Sequence, residues 1–193
     1  MEQLFRYIRK FGPLDKREEG LIMQAFQKRS IPKATYFVTC GKINNSIAFV
    51  ENGVFRSLYY NNKGDDFTRY FIYEGRFIGD FQSFLDRTPS NDYIEALTDA
   101  EVWSLDHDNF LLLEKEIKIW PLLVAKLYGF VIESKLKTAN TMLNLDAKAR
   151  YLLFLQLYPG LANRVPLAML ASYLGITASS LSRIRKNISF KAK

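Results

Sequence analysis

The segment from Val165 to Ile188, VPLAMLASYLGITASSLSRIRKNI, gathers the side chains in this sequence best suited to recognising another molecule. Pro166 suits the opening of a short helix with Leu167, Leu170, Ala171 and Leu174 on one face. Gly175 supplies the positive φ of a tight turn, and Ile176 plugs the corner. Thr177 is then placed to cap a second helix, whose Leu181, Ile184 and Ile188 fall within about 60° of one another at 100° per residue. Opposite that stripe lie Ser179, Ser182, Arg183 and Lys186, with Arg185 on the flank and Thr177 and Ser180 at the helix start. Short hydroxyl side chains permit close approach to base edges, and an arginine can donate two hydrogen bonds to guanine, the role expected of Arg183. Lys186 and Arg185 are expected on phosphates. A helix, a glycine turn and a second helix with such a face spell a helix-turn-helix. The competing reading is a solvated basic helix, but solvated faces normally mix signs. Here no acid interrupts the segment.

The charge distribution agrees. The net charge is +7, yet from Ala147 to Lys193 there is no Asp or Glu while eight Lys and Arg occur. The first 146 residues therefore carry a net −1. A near-neutral body with a wholly basic C-terminal quarter predicts a polyanion partner, nucleic acid ahead of an anionic membrane.

Catalytic chemistry finds no comparable footing. There is no Walker A loop, GxGxxG or HExxH, His107 is the only histidine, and Asp65-Asp66 sits in a turn. Cys40 is the only cysteine, which excludes an internal disulfide framework and an all-cysteine cluster within one chain. No enzyme activity, metal or cofactor is expected. Cys40 reads as a buried residue and His107 as the polar end of a strand. Composition is ordinary for a globular chain of 193 residues, at 48% hydrophobic and 24% charged. No run approaches the roughly 20 apolar residues of a membrane span. The opening MEQLFRYIRKFG lacks a signal-peptide core, so the expected compartment is the cytoplasm.

The elements that must position the recognition segment are also legible. Residues 1–28 read as helical, broken at Pro13. From about Thr35 to Asp106 come short β-branched and aromatic runs, with Gly41, Gly53, Gly64 and Gly75 spaced 12, 11 and 11 residues apart. Such spacing predicts a β-roll, barrel or sandwich, with a hairpin turn at Asn61–Asp65. Pro121 opens a long helix reaching about Leu143. Along it Ala125, Gly129, Ile132, Leu136, Ala139 and Leu143 alternate four and three residues apart, the seam of a coiled-coil dimer or the face of a buried helix. Leu123, Leu127 and Phe130 form a second stripe that suits packing on the roll. Asp146 is placed to cap the next helix, where the charge step also falls.

With these features in place, the chain resembles the Crp/Fnr family of bacterial transcription regulators over nearly its full length. GRFIGDFQSFLDRTPSNDYIEALTDAEVWSLD is similar to that family's phosphate-binding cassette, Gly53 in VENGVFRSLYY to a roll-turn glycine, and YLGITASSLSRIRK to its DNA-reading unit. The resemblance implies an α+β chain: a jelly-roll effector domain over 1–120, a dimerisation helix over 121–144, and a winged helix-turn-helix over 145–193. It further implies a homodimer on double-stranded DNA, with RNA polymerase as a partner and no membrane. The alternative is a ligand-binding or interaction module of the same fold that no longer reads DNA.

The implied effector pocket comprises Phe77, Ile78, Gly79, Asp80, Ser90 and Asn91, and it departs from the nucleotide-binding pattern. Gly79-Asp80 stands where a Gly-Glu pair holds ribose, and Ser90 stands where an arginine holds the cyclic phosphate. Asp92 adds negative charge there, and Arg87 is displaced. A buried phosphate without a cationic partner is unfavourable, so cyclic AMP is not the expected effector. Only Asn187 to Lys193 follow the recognition segment, so ISFKAK is expected to give one wing strand at most.

Overall fold

Two four-stranded antiparallel sheets form between N-terminal and C-terminal helices in the computed structural model, which describes residues 1–191. Helices α1 (Glu2–Ile8) and α2 (Lys16–Ala25) come first, separated by Pro13. Asp15 caps α2 in a reciprocal box with Glu18: Glu18 N donates to Asp15 Oδ1 at 2.8 Å and Asp15 N to Glu18 Oε2 at 2.9 Å. The strands are β1 (Gln27–Ile31), β2 (Tyr36–Val38), β3 (Ser46–Asn52), β4 (Val54–Tyr60), β5 (Asp66–Tyr73) and β6 (Phe77–Ile78). A short helix α3 (Phe81–Asp86) precedes β7 (Tyr93–Ala96) and β8 (Ala100–Asp106). The sheet orders are β1-β8-β3-β6 and β2-β7-β4-β5.

The β region therefore starts earlier than its sequence suggests. Strand β1, QKRSI, exposes four of its five residues and shows no alternation, but it pairs along β8 from Gln27↔Ser104 to Ile31↔Ala100. An edge strand held by backbone pairing leaves little trace in side-chain periodicity. The predicted hairpin turn forms: Asn61 N donates to Asp65 O at 3.0 Å, and Asn61 Oδ1 accepts from Lys63 N and Asp65 N.

Strand β3 is buried on both faces, which explains its unbroken apolar run. Ile47 and Phe49 join Leu105 of β8 in a cluster with Leu4, Ile8, Ile22 and Phe26 of the N-terminal segment. The same cluster takes in α4 (His107–Glu116) and the start of α5 (Trp120–Leu143) through Phe110, Leu113, Trp120, Leu123 and Leu127. His107 is thus the first residue of a helix capped by Asp106, its ring edge-on to Phe84 at 5.3 Å, rather than the end of a strand. Glu51, at the end of β3, accepts from Trp103 Nε1 at 3.1 Å and pairs with the Met1 ammonium and Lys28.

The remaining elements are α6 (Ala147–Leu157), a 3-10 turn (Leu161–Asn163), α7 (Leu167–Leu174) and α8 (Ala178–Lys191). Asp146 caps α6, accepting from Ala149 N at 2.7 Å. Helix α8 continues through Ile188 to Lys191, where the sequence suggested a wing strand. No Gly or Pro follows Arg183 to stop the helix, so it runs on through these residues; Ala192 and Lys193 lie outside the described residues. The chain divides into two compact units: 1–57 with 71–134, and 58–70 with the chain from 135 onward. In the second unit the β4–β5 hairpin tip packs on α7, where Thr68 N donates to Ser172 Oγ at 3.0 Å.

Candidate nucleic-acid interface and effector cassette

The turn between α7 and α8 follows the expected grammar. Leu170, Ala171 and Leu174 are buried, Gly175 is left-handed at φ 69°, and Ile176 N donates to Ala171 O at 3.0 Å. A Cβ-bearing residue would be strained at that φ. Thr177 Oγ1 accepts from Ser180 N at 3.2 Å and donates to Ser180 Oγ at 2.9 Å, which caps α8. Leu181 is fully buried, and Ile184 and Ile188 are half-buried. On α7, Tyr173 packs edge-on to Phe154 at 5.6 Å. Burial, then the neighbouring Tyr158, pushes its hydroxyl pKa far up, so it stays neutral.

Thr177, Ser179, Ser182, Arg183 and Lys186 are exposed, and Ser180 is half-buried within the cap. Arg185 is not with them. Its Nη2 donates to Ala162 O at 3.0 Å, and its guanidinium lies 5.6 Å from the Tyr151 ring centroid. The structure turns this residue inward to tie α8 to the 3-10 turn, instead of outward to a phosphate. A guanidinium stacks well on an aromatic face, and Tyr151 offers one. Asn187, four residues after Arg183, is exposed on the reading side and was not singled out in the sequence. Its amide suits a bidentate contact with adenine. The i, i+4 spacing from Arg183 was the available signal.

The proposed effector residues divide between two places. Phe77 packs with Phe49 and Phe81 at 5.4 and 6.2 Å in the cluster under the helices, whereas Ile78 points to the other side of the strand and is buried. Gly79, at φ 137°, passes so close to β3 that a Cβ would stand 2.9 Å from Ile47 Cγ2. Asp80 caps α3 by accepting from Ser83 N at 3.1 Å, and its Oδ2 accepts from Ser90 Oγ at 2.7 Å. Ser90 is buried and also accepts from Asp92 N at 3.1 Å, while Asn91 is exposed. Asn44 closes the loop, donating from Nδ2 to Asp80 O at 3.2 Å. Arg87 is committed elsewhere, to Asn44 O at 3.3 Å and Asn45 Oδ1 at 2.6 Å. Cys40 is half-buried, just ahead of a loop where Gly41 N donates to Ser90 O at 2.8 Å. Among the described residues no group of acids, His and Cys is arranged to hold a metal.

The long helix shows its seam to solvent. Leu136 is 58% exposed, Leu143 72% and Ile132 38%, and Ala125, Gly129 and Ala139 of the same seam are exposed too. Leu123 and Leu127 of the second stripe are buried as expected, whereas Phe130 is half-exposed, its ring edge-on to Phe11 at 5.7 Å. Among the described residues no helix is long and apolar enough to cross a membrane.

Comparison with known proteins places these features. Residues 28–116 match the family described as "Cyclic nucleotide-binding domain". No curated protein matches the sequence. Among solved structures, the c-di-GMP responsive global regulator CLP of Xanthomonas campestris is 17% identical, with a TM-score of 0.67 over 92% of this chain and 93% of that one. The catabolite activator protein of Thermus thermophilus is 24% identical, with a TM-score of 0.55 over 94% and 87%. FixK2 of Bradyrhizobium japonicum is 17% identical, with a TM-score of 0.70 over 86% of each chain. Residues 28–116 thus resemble a cyclic nucleotide-binding domain, and the chain shares its fold with these structures and with a putative transcriptional regulator of the crp/fnr family from Eubacterium rectale, 14% identical with a TM-score of 0.69 over 92% of this chain and 85% of that one.

Proposed function

We propose that this chain, built on the Crp/Fnr fold, is a sequence-specific DNA-binding transcription regulator that acts as a homodimer without cyclic AMP as effector. The exposed face of α8 carries the reading: hydroxyls, an arginine, a lysine and an amide stand opposite a buried Leu181. Two α5 helices joined along the exposed seam place two copies of α8 about a two-fold axis. Half-sites about 34–36 Å apart, one DNA turn, follow from that symmetry. Ser179 and Ser182 let the helix approach closely, Arg183 reads guanine, and Lys186 holds a phosphate. The acid-free stretch from Ala147 onward draws the unit to DNA at long range. RNA polymerase is the proposed protein partner, and the cytoplasm the proposed compartment.

The bond between Asp80 and Ser90 supports the reading that cyclic AMP is not the effector. The groups that would meet ribose and phosphate are partners of each other. A cyclic phosphate entering there would have to break that bond and face Asp92.

Selecting bound duplexes from a random pool with the purified chain tests the proposal. The expected product is a two-fold symmetric site whose affinity falls steeply with salt. Binding every duplex equally, or none at low salt, would overturn it and favour an interaction module.

A further inference from the structure

We infer that Arg150 is a positioning residue that locks the DNA-reading helix to the end of the dimerisation helix and thereby sets the half-site spacing the dimer accepts. This rests on the DNA-binding reading above and deepens it.

Arg150 lies on α6, between the two helices it bridges. Its Nε donates to Met142 O at 3.1 Å, in the last turn of α5. Its Nη1 donates to Leu174 O at 3.1 Å, the last residue of α7. Helix ends leave carbonyls without intrahelical partners, and these ends carry the negative pole of the helix dipole. Met142 O also accepts from Leu145 N at 3.2 Å, so one planar cation joins a capped end of α5 to the end of α7 and fixes the angle between them.

The turn lies directly beside it. An ideal Cβ on Gly175 would stand 3.4 Å from Arg150 Nη1, ordinary contact distance, so the guanidinium rests against the left-handed residue of the turn. Two residues later Thr177 caps α8. The end of α5, Arg150, the turn and the start of α8 therefore form one connected chain of contacts, all within the second compact unit. A lysine has the charge, but its ammonium on a flexible stem does not hold two carbonyls at a set angle.

In a dimer joined through α5, the separation of the two reading helices follows from the angle between α5 and α8. Loosening the clasp lets α8 take a range of positions, and ordering it again on DNA weakens binding only where both half-sites must be met together. Binding to random duplex, which rests on phosphate contacts of the α8 face, should be indifferent to it.

The test uses the full chain and the two-fold site selected by the wild type. Affinities for that site, for versions with one and two base pairs inserted at the centre, and for random duplex are compared in wild type, Arg150→Lys and Arg150→Gln. Arg150→Lys is expected to lose about tenfold on the selected site, the scale of one charge-assisted hydrogen bond. It should stay within about twofold on random duplex, with its preference against inserted base pairs flattened. Arg150→Gln serves as the second variant should the lysine variant fold poorly. Equal losses on specific and random DNA, or a lowered melting temperature with the spacing preference intact, would overturn the clasp. A wild type that selects no two-fold site would instead overturn the DNA-binding reading, and the clasp with it.

Discussion

Ser90 Oγ donates to Asp80 Oδ2 at 2.7 Å, so the two positions that the family resemblance aligns with phosphate and ribose ligands are bonded to each other. Ser90 also takes up Asp92 N, and Arg87 is held by Asn44 and Asn45. Calorimetry with cyclic AMP and cyclic GMP should therefore register no stoichiometric binding; a tight isotherm would show that another donor replaces the missing arginine. Ser90→Ala should cost the fold about 1–3 kcal/mol in denaturant unfolding, because buried polar partners are left unpaired.

Helix α5 offers the next test. Leu136 is exposed midway along the seam. Leu136→Glu places two carboxylates where the helices would meet, and light scattering should show monomers where the wild type shows dimers. A wild type that is monomeric at tens of micromolar would remove the basis for a two-fold operator.

Positions on α8 should separate by role. Arg183→Ala is expected to lose roughly 1–3 kcal/mol on the operator and to relax preference at one base pair per half-site. Lys186→Ala should weaken all duplexes alike and reduce the salt slope by about 1 per lost phosphate contact. Arg185→Ala should leave the salt slope alone and lower the melting temperature, since its guanidinium serves Ala162 and Tyr151. A salt slope that falls with Arg185→Ala would put that residue on DNA.

Glu51 gives a pH signature. Burial alone would raise its carboxyl pKa, but the Met1 ammonium, the Trp103 N–H and Lys28 outweigh that and hold it below its ordinary 4.5. A depressed carboxylate stabilises the fold fully above its ordinary value and loses that contribution as pH falls through the folded one. Melting temperature should therefore drop more steeply on acidification below about pH 4.5 in the wild type than in Glu51→Gln. Parallel acid limbs would show that the three partners contribute nothing.

Local order and local chemistry were legible in the residues themselves. The Asn61–Asp65 turn, the caps at Asp146 and Thr177, the bend at Gly175, the buried Leu181 stripe and the seam of α5 all follow from contacts spanning a few residues or from a single periodicity. Neighbouring side chains decide such features wherever the segment lies. The tertiary structure decided what depends on distant partners. Strand β1 exists because β8 pairs with it 69 to 77 residues later. Asp80 and Ser90 meet because the loop carrying Ser90 folds back under hydrogen bonds to Gly41 and Lys42. Arg150 and Arg185 differ most from what their charge suggests: in sequence each is one more cation in a basic segment. A long side chain at the edge of an apolar face has either water or a backbone carbonyl within reach; the packing of α5, α6 and α7 places the two that Arg150 takes, and the packing of α8 on the 3-10 turn places the one that Arg185 takes.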